Sequence, residues 1–146
     1  MKVRAMAVSI LLGLFLLAAA APGQAQQPLR VKIPFDFVAD KATLPAGEYI
    51  VHPASIGSPV LIVQRIDSRK PAAAMVMSHP VEANARQRQT CLVFRASGER
   101  YFLSEVWTDR ASFARQLGTS FIEKMLAKNE TSHEVILLAN LQERKR

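Results

Sequence analysis

Residues 90–108 read TCLVFRASGERYFLSEVWT, and this stretch decides the fold. Apolar and polar residues alternate on both sides of Ser97 and Gly98, which is the pattern of two strands joined by a tight turn. A two-residue turn at Ser97-Gly98 would place Phe94 opposite Tyr101 and Arg95 opposite Arg100. Two arginines in direct opposition repel each other, so we expect the Phe94 face of this hairpin to point to the interior.

The same face carries the candidate ligand-binding residues. A carboxylate on an apolar face is costly unless it is paired, so Glu105 needs a partner there. One interpretation is a ligand pocket, with Tyr101 and Trp107 as stacking surfaces and Glu105 as the polar handle. The alternative is that the strand end is exposed, or that an arginine such as Arg110 or Arg115 pairs with Glu105. The residues of this candidate site are Phe94, Tyr101, Glu105 and Trp107.

Five further segments have the composition of strands. The first contains Pro34, which cannot donate to a ladder and therefore predicts an edge position or a bulge. Residues His79–Gln89 are polar and without periodicity, which predicts the longest loop. The five candidate strands are Val31–Val38, Glu48–His52, Val60–Ile66, Ala72–Ser78 and Val135–Leu141.

One helix is predicted after the hairpin. Ser120 and Glu123 form a capping box, and an apolar stripe follows at Phe121, Ile122, Met125 and Leu126. Such a stripe is typical of a helix packed on a sheet, with a partner-binding helix as the alternative. Thr131 and Glu134 form a competing capping box, so the segment before the basic tail is either a closing strand or a second helix. We favour the strand.

These elements predict a mainly β fold. We expect an antiparallel small barrel or sandwich of about six to seven strands with one C-terminal helix. The length fits one domain, which we place at residues 26–146. Residues 130–146 would then be a closing strand followed by a basic tail.

The first 25 residues have the three-part layout of a secretory signal peptide. Met1–Arg4 is basic, Ala5–Ala21 is apolar, and small residues follow. We place the cleavage between Ala25 and Gln26, which predicts an exported protein that is periplasmic or secreted. A retained anchor is the alternative, but the apolar run is shorter than the about 20 residues that a spanning helix needs. No later segment of the mature chain is long enough to span a bilayer.

The net charge and the cysteine content limit the binding partners and the disulfides that we expect. The net charge is +7, and an exported basic protein meets anionic envelope components more often than nucleic acid. Nucleic acid is therefore not an expected partner. Cys91 is the single cysteine, so an intrachain disulfide is excluded. It is either a small buried apolar residue or the site of an intermolecular disulfide.

Three motifs resemble a group of short exported bacterial β-rich proteins of unassigned function. The motifs are IPFDF at Ile33–Phe37, LPAGEY at Leu44–Tyr49 and RYFLSEVW at Arg100–Trp107. The group shows the order IPFxF, LPAGxY and YFLSxVW after a signal peptide. The resemblance implies a compact β-rich exported domain, and it brings no catalytic residue, cofactor or ligand.

Motifs for catalysis are missing from the sequence. It contains no G-x-S-x-G elbow and no glycine-rich phosphate loop. His133-Glu134 begins like a zincin motif, but Leu137 stands where the second ligand belongs. We therefore predict neither an enzyme nor a metal or cofactor site. The leading hypothesis is a domain that binds a small ligand or an envelope component. The alternatives are an assembly protein that recruits a partner through a sheet edge at the first strand and, more remotely, a small hydrolase.

The leader prediction is tested by N-terminal sequencing of the exported protein. We expect the chain to begin at Gln26, because the small residues Gly23 and Ala25 precede that bond. A chain in the membrane fraction that still begins at Met1 would show that the segment is a retained anchor.

Overall fold

The computed structural model describes residues 27–82, 89–108, 113–119, 123–125, 128 and 131–141. The predicted signal peptide, with Ala25 and Gln26, lies outside these residues. None of the helical residues described forms a helix that is long and apolar enough to cross a membrane. The described strands are β1 (Leu29–Ile33), β2 (Phe37–Ala39), β3 (Ala42–Leu44), β4 (Gly47–Pro53), β5 (Val60–Arg65), β6 (Ala73–Glu82), β7 (Cys91–Ser97), β8 (Arg100–Trp107), β9 (Phe113–Leu117), β10 (Ser132–Leu138) and β11 (Asn140–Leu141).

The strands form one sheet in the order β10-β7-β8-β9-β6-β5-β4-β1-β11. All pairs along this order are antiparallel; off it, β2 pairs with β3 and makes one parallel bridge, Val38 to Phe102, with β8. The predicted mainly β class is confirmed. The predicted barrel is wrong, because β10 and β11 at the two ends of the order pair with β7 and β1 and not with each other. The eleven described strands also exceed the predicted six to seven.

Strand β6 divides the sheet into two halves. Its residues Ala73–Met77 pair with β5, and Ser78–Glu82 pair with β9. We call β11, β1, β4, β5 and the first part of β6 half-sheet A, and the remaining strands half-sheet B. Pro80 is tolerated because its part of β6 pairs with β9 alone, which leaves the other edge without a ladder to interrupt. The predicted loop at His79–Gln89 is therefore wrong for its first four residues; 83–88 lie outside the described residues.

Both halves bury one face in a common core. The strands of half-sheet A alternate as expected, so Val31, Val51 and Val63 point inward while their neighbours face solvent. The main core contains Leu29, Val31, Ile33, Phe37, Ala39, Leu44, Tyr49, Val51, Leu61, Val63, Ala74, Val76, Leu92, Phe94, Leu103, Val106, Leu117 and Ala139.

Aromatic side chains join the two halves at the centre of this core. Phe37 meets Tyr49 edge to face at 5.2 Å between ring centroids, and it meets Phe94 in the same way at 5.5 Å. Phe35 stacks on Tyr101 at 3.9 Å and contacts Phe94 edge-on at 5.2 Å. Edge-to-face and stacked pairs each add about 0.5–1.5 kcal/mol beyond their buried area. We call these five residues the aromatic cluster.

The first predicted strand is interrupted where the cluster forms. The sequence predicts one strand over Val31–Val38, but the chain leaves β1 after Ile33 and resumes pairing at Phe37. The Asp36 carboxylate accepts a hydrogen bond from the Ala46 backbone N–H at 2.8 Å. This bond ties the break to the turn before β4. Pro34 therefore lies just beyond a strand rather than at an edge position within one.

Gly47 begins β4 at a point where a side chain would not fit. A Cβ atom there would lie 2.6 Å from Nε of Arg65 and 3.0 Å from Oδ1 of Asp67. These two side chains form an ion pair at 2.6 Å, and the pair lowers the pKa of the Asp67 carboxyl because Arg65 favours its charged form. A side chain at position 47 would therefore have to push the Arg65 and Asp67 side chains aside, whereas glycine leaves their ion pair in place.

The C-terminal part differs from the predicted helix in extent. Among the described residues, only Glu123–Met125 are helical, and Met125 of the predicted stripe is exposed. Ser120, Phe121, Ile122 and Leu126 lie outside the described residues. The segment left open between strand and helix forms β10 and β11, which are separated by Ala139 alone.

The Tyr49 phenol generates a prediction about stability. Its Oη donates to the Pro45 carbonyl at 2.6 Å, and burial raises its pKa. Tyr49→Phe should lower the free energy of unfolding by about 0.5–1.5 kcal/mol, the usual value of one hydrogen bond. Urea denaturation followed by circular dichroism measures this loss.

The raised pKa also sets a pH dependence. The neutral phenol is favoured in the folded state, so its contribution is complete below the unfolded pKa of about 10 and is lost as the pH rises through the folded pKa. The wild type should lose this stability above about pH 10, and Tyr49→Phe should lack that part of the decline. Parallel pH curves for the two proteins would contradict the assignment.

Candidate functional site

The hairpin that defines the candidate site turns one residue later than predicted. Ser97 pairs with Arg100, so the two turn residues are Gly98 and Glu99. Gly98 has φ 60°, which suits the first central position of a type II′ turn. Arg95 pairs with Phe102 and not with Arg100, so the repulsion expected between the two arginines does not arise.

A β-bulge then changes the faces of β8. Phe94 pairs with Leu103, but Val93 pairs with Glu105, which leaves Ser104 as an extra residue on β8. Because side chains alternate along a strand, one inserted residue moves every later side chain to the opposite face. Glu105 and Trp107 therefore lie on the outer face of half-sheet B.

The predicted site is consequently divided between two faces. Phe94 and Tyr101 belong to the aromatic cluster in the main core. Phe94 is fully buried, and the Tyr101 ring is covered on one face by Phe35. The expectation that these residues share one face with Glu105 and Trp107 is wrong, and the bulge at Ser104 is the reason.

On the outer face, the side chains of Glu105 and Trp107 are hydrogen-bonded to each other. The Trp107 Nε1–H donates to Oε2 of Glu105 at 2.7 Å, so the partner of the carboxylate is an indole rather than Arg115; Arg110 lies outside the described residues. Trp107 is only 5% exposed and packs in a second apolar cluster with Cys91, Val93 and Ala114. Cys91 is buried, as its apolar interpretation predicts. This burial does not suit an intermolecular disulfide.

The helical turn lies against this outer face. Arg95 faces outward from β7, on the same side as Cys91 and Val93, and its Nη1–H donates to Oε1 of Glu123 at 2.8 Å. Glu123 is buried. The Arg95 side chain is 32% exposed, so the pair is partly buried, and its charge-assisted hydrogen bond ties the turn to the sheet. Glu123 was expected to close a capping box with Ser120, which lies outside the described residues.

The surface offers two sets of exposed apolar side chains that sequence reasoning did not single out. Met75 and Met77, 69% and 64% exposed, lie on the outer face of β6. Ile136 and Leu138, 51% and 67% exposed, lie on the outer face of β10. The sequence contained no signal for the first set, because residues 73–77 read AAMVM without polar alternation, and the alternation of exposed and buried side chains over Ala73–Ser78 is seen only in the structure. The second set was missed because its apolar run reads as a buried closing strand.

Strand β10 also has an edge without a strand partner. Over the described residues it pairs along its full length with β7 and on no other side. Strand β1 lies beside that edge near its C-terminal end, where it contacts β10 and pairs with β11 at Leu29 and Arg30. The edge expected at the first strand thus lies at β10 instead. An edge strand presents unpaired N–H and C=O groups, which another strand can complete.

Histidines and carboxylates show no convergence in the described part of the chain. His52, His79 and His133 lie on β4, β6 and β10, and no two of these strands are neighbours in the sheet. No group of three or more histidine, cysteine, aspartate or glutamate residues that could hold a metal ion occurs among the residues described.

Comparison with known proteins adds no relative: no protein-family model, curated protein or solved structure matches this chain. The function is therefore inferred from this chain itself.

The burial of Trp107 generates a prediction. Trp107→Ala should lower the free energy of unfolding by about 3–5 kcal/mol, because it leaves a cavity in the second cluster and an unpaired Glu105. Trp107→Phe keeps most of the ring and removes only the N–H donor, so its loss should be smaller, about 1–2 kcal/mol.

Urea denaturation followed by circular dichroism measures both variants. In the wild type, the chain's single tryptophan should emit at short wavelength and resist quenching by acrylamide. A loss below about 1 kcal/mol for Trp107→Ala would place the ring at the surface.

Proposed function

We propose that this protein is an exported, non-enzymatic β-domain that recruits an envelope partner by strand addition to the free edge of β10. The predicted signal peptide supports export to the periplasm or beyond the cell, where anionic envelope components would surround a basic protein. The observation that carries the proposal is strand β10, which pairs on one edge only among the described residues and exposes Ile136 and Leu138 on its outer face.

The contacts already made by the predicted site residues support this proposal over a ligand pocket. The rings predicted to be stacking surfaces already contact other side chains. Tyr101 stacks on Phe35, and Trp107 packs in the second apolar cluster. Glu105, the predicted polar contact for a ligand, accepts a hydrogen bond from Trp107. A ligand at either place would have to displace packed side chains, at a cost in stability.

The β10 edge suits recruitment better than the methionine face of β6. Met75 and Met77 project from β6, which stands between β5 and β9 in the sheet, whereas β10 stands at the end of the strand order. Strand β10 combines exposed apolar side chains with main-chain groups that need a partner. Strand addition uses both, because main-chain bonds supply affinity and alternate side chains supply specificity.

Sequence features of β10 agree with an edge kept open for a partner. Edges that must not associate are protected by lysine, proline or a bulge. β10 contains none of these within SHEVILL, and its register with β7 is continuous over seven pairs. Its exposed residues would be a liability in a protein with no partner.

Strand addition is tested with a labelled peptide of residues 131–139 as the probe. Fluorescence anisotropy should show saturable binding to the exported protein with a Kd below about 100 µM. A peptide with proline in place of Ile136 should not bind, because it lacks one N–H and cannot continue the ladder.

The protein variants make the site specific. Ile136→Lys should weaken binding of the peptide by at least about tenfold, since edge lysines oppose strand addition. Met75→Lys adds the same charge to another exposed apolar strand position and should bind as the wild type does. Absence of saturable binding up to about 1 mM would contradict the proposal.

A further inference from the structure

We infer that Met75, Met77 and His79 form a site for Cu(I) on the outer face of β6, in which Met77 is the ligand common to two pairs of donors. The zinc motifs that the sequence lacks require histidine, cysteine or carboxylate ligands. Thioether sulfur is a different donor, and soft ions such as Cu(I) prefer it. The site lies on β6 and not on β10, so it does not depend on the proposed strand addition.

The three side chains occupy successive outward positions of one strand. Exposed and buried residues alternate from Ala73 to His79, so Met75, Met77 and His79 all face away from the core. Residues two apart in a strand are separated by about 7 Å. Because the methionine side chain has three rotatable bonds, the sulfurs of Met75 and Met77 can meet at one ion between them.

Met77 is the central ligand of this row. His79 lies as far from Met77 on one side as Met75 does on the other, so Met77 and His79 form a second pair of donors. Met75 and His79 are about 13 Å apart along the strand, which is too far for both to hold the same ion. An ion on this face is therefore bound by Met77 with one neighbour at a time.

The methionines of the described residues are not used to fill the core. Methionine is well suited to irregular gaps between buried side chains, but Met75, Met77 and Met125 are all more than half exposed. The part of the chain that the structure describes contains no other methionine. Two of the three stand side by side on β6, where their polarisable sulfurs are accessible to a ligand.

The neighbouring strands favour a soft ion over a hard one. The two methionines are opposite Val60 and Ile62 of β5, and His79 is opposite Gln116 of β9. None of these cross-strand partners is a lysine or arginine that would repel a cation. None is a carboxylate of the kind that binds Mg²⁺ or Ca²⁺. Structural zinc sites use four ligands, which is more than this row directs at one ion.

Titration of the full-length exported protein with Ag(I) in chloride-free buffer tests the site. Ag(I) has the same charge as Cu(I), is also soft, and is stable in air. Protein labelled with ¹³C at the methionine methyl groups reports on each sulfur separately by NMR. We expect the methyl signals of Met75 and Met77 to shift saturably with a Kd below about 100 µM. The signal of Met125, which is exposed on the helical turn, should not shift.

Leucine variants identify the central ligand, because leucine keeps the size of methionine and removes its sulfur. Met77→Leu removes the donor common to both pairs and should raise the Kd for Ag(I) at least about tenfold. Met75→Leu and His79→Gln each leave one pair intact and should raise it by only about twofold to fivefold. Met125→Leu is the matched control and should leave the Kd unchanged, and circular dichroism confirms that each variant is folded.

Anaerobic competition with a Cu(I) chelator, bicinchoninate, then measures the affinity for Cu(I) itself. The thiol of Cys91 is buried, so Cys91→Ala should bind Cu(I) as the wild type does. An ion that is lost in Cys91→Ala but kept in Met77→Leu would belong to the thiol and would overturn the site. The methyl signals of the wild type locate the ion independently of that variant.

Three further results would contradict the inference. The first is the absence of a saturable methyl shift up to about 1 mM Ag(I). The second is a shift of Met125 equal to that of Met77, which would show that any exposed thioether binds the ion. The third is the same response to Zn²⁺, which would remove the preference for a soft ion. Binding of the 131–139 peptide is measured separately, so the failure of one proposal leaves the other in place.

Discussion

The aromatic cluster is the interaction on which the rest of the structure depends. It draws one ring from the break between β1 and β2, one from β2, one from β4 and one from each strand of the β7–β8 hairpin. Half-sheet A contributes only Tyr49 of these directly, so its attachment to half-sheet B at this point passes through Phe37. The hydrogen bond from the Ala46 N–H to the Asp36 carboxylate links the segment before Phe37 to the turn before Tyr49, outside the core. A sheet that is not closed by hydrogen bonds between its end strands needs such a connection through its interior.

This dependence gives the three sequence motifs a structural meaning. IPFDF supplies Phe35, Asp36 and Phe37; LPAGEY supplies the turn, the close-packed Gly47 and Tyr49; RYFLSEVW supplies Tyr101 and the bulged strand. Their residues make packing contacts with one another in the core of this chain. The prediction of one ligand site failed because the bulge in RYFLSEVW puts Glu105 and Trp107 on the opposite face from Phe94 and Tyr101.

How far the sequence predicted the fold can be judged from particular residues. Alternation correctly located the strands around Val51, Val63 and Phe94, because one buried face imposes a period of two. It did not detect the bulge at Ser104, since an inserted residue changes the face without changing the composition. Nor did it detect β6 beyond Ser78, where Pro80 reads as a breaker until the change of pairing partner is known. The candidate site failed for the first of these reasons: two of its four residues lie beyond the bulge.

The position of the free edge follows from the same physical limits. β6 passes from half-sheet A to half-sheet B by pairing first with β5 and then with β9. The chain passes back to half-sheet A at Ala139, between β10, which pairs with β7, and β11, which pairs with β1. There the pairing with β1 extends over only two residues, so β10 is left paired on one side. Completing that edge within the chain would require the chain to continue beyond β1 alongside β10, but after Ile33 it leaves the sheet at Pro34 and brings Phe35 into the aromatic cluster. The packing that joins the two halves therefore also leaves an edge for another strand to complete, which connects the core of this protein to its proposed role.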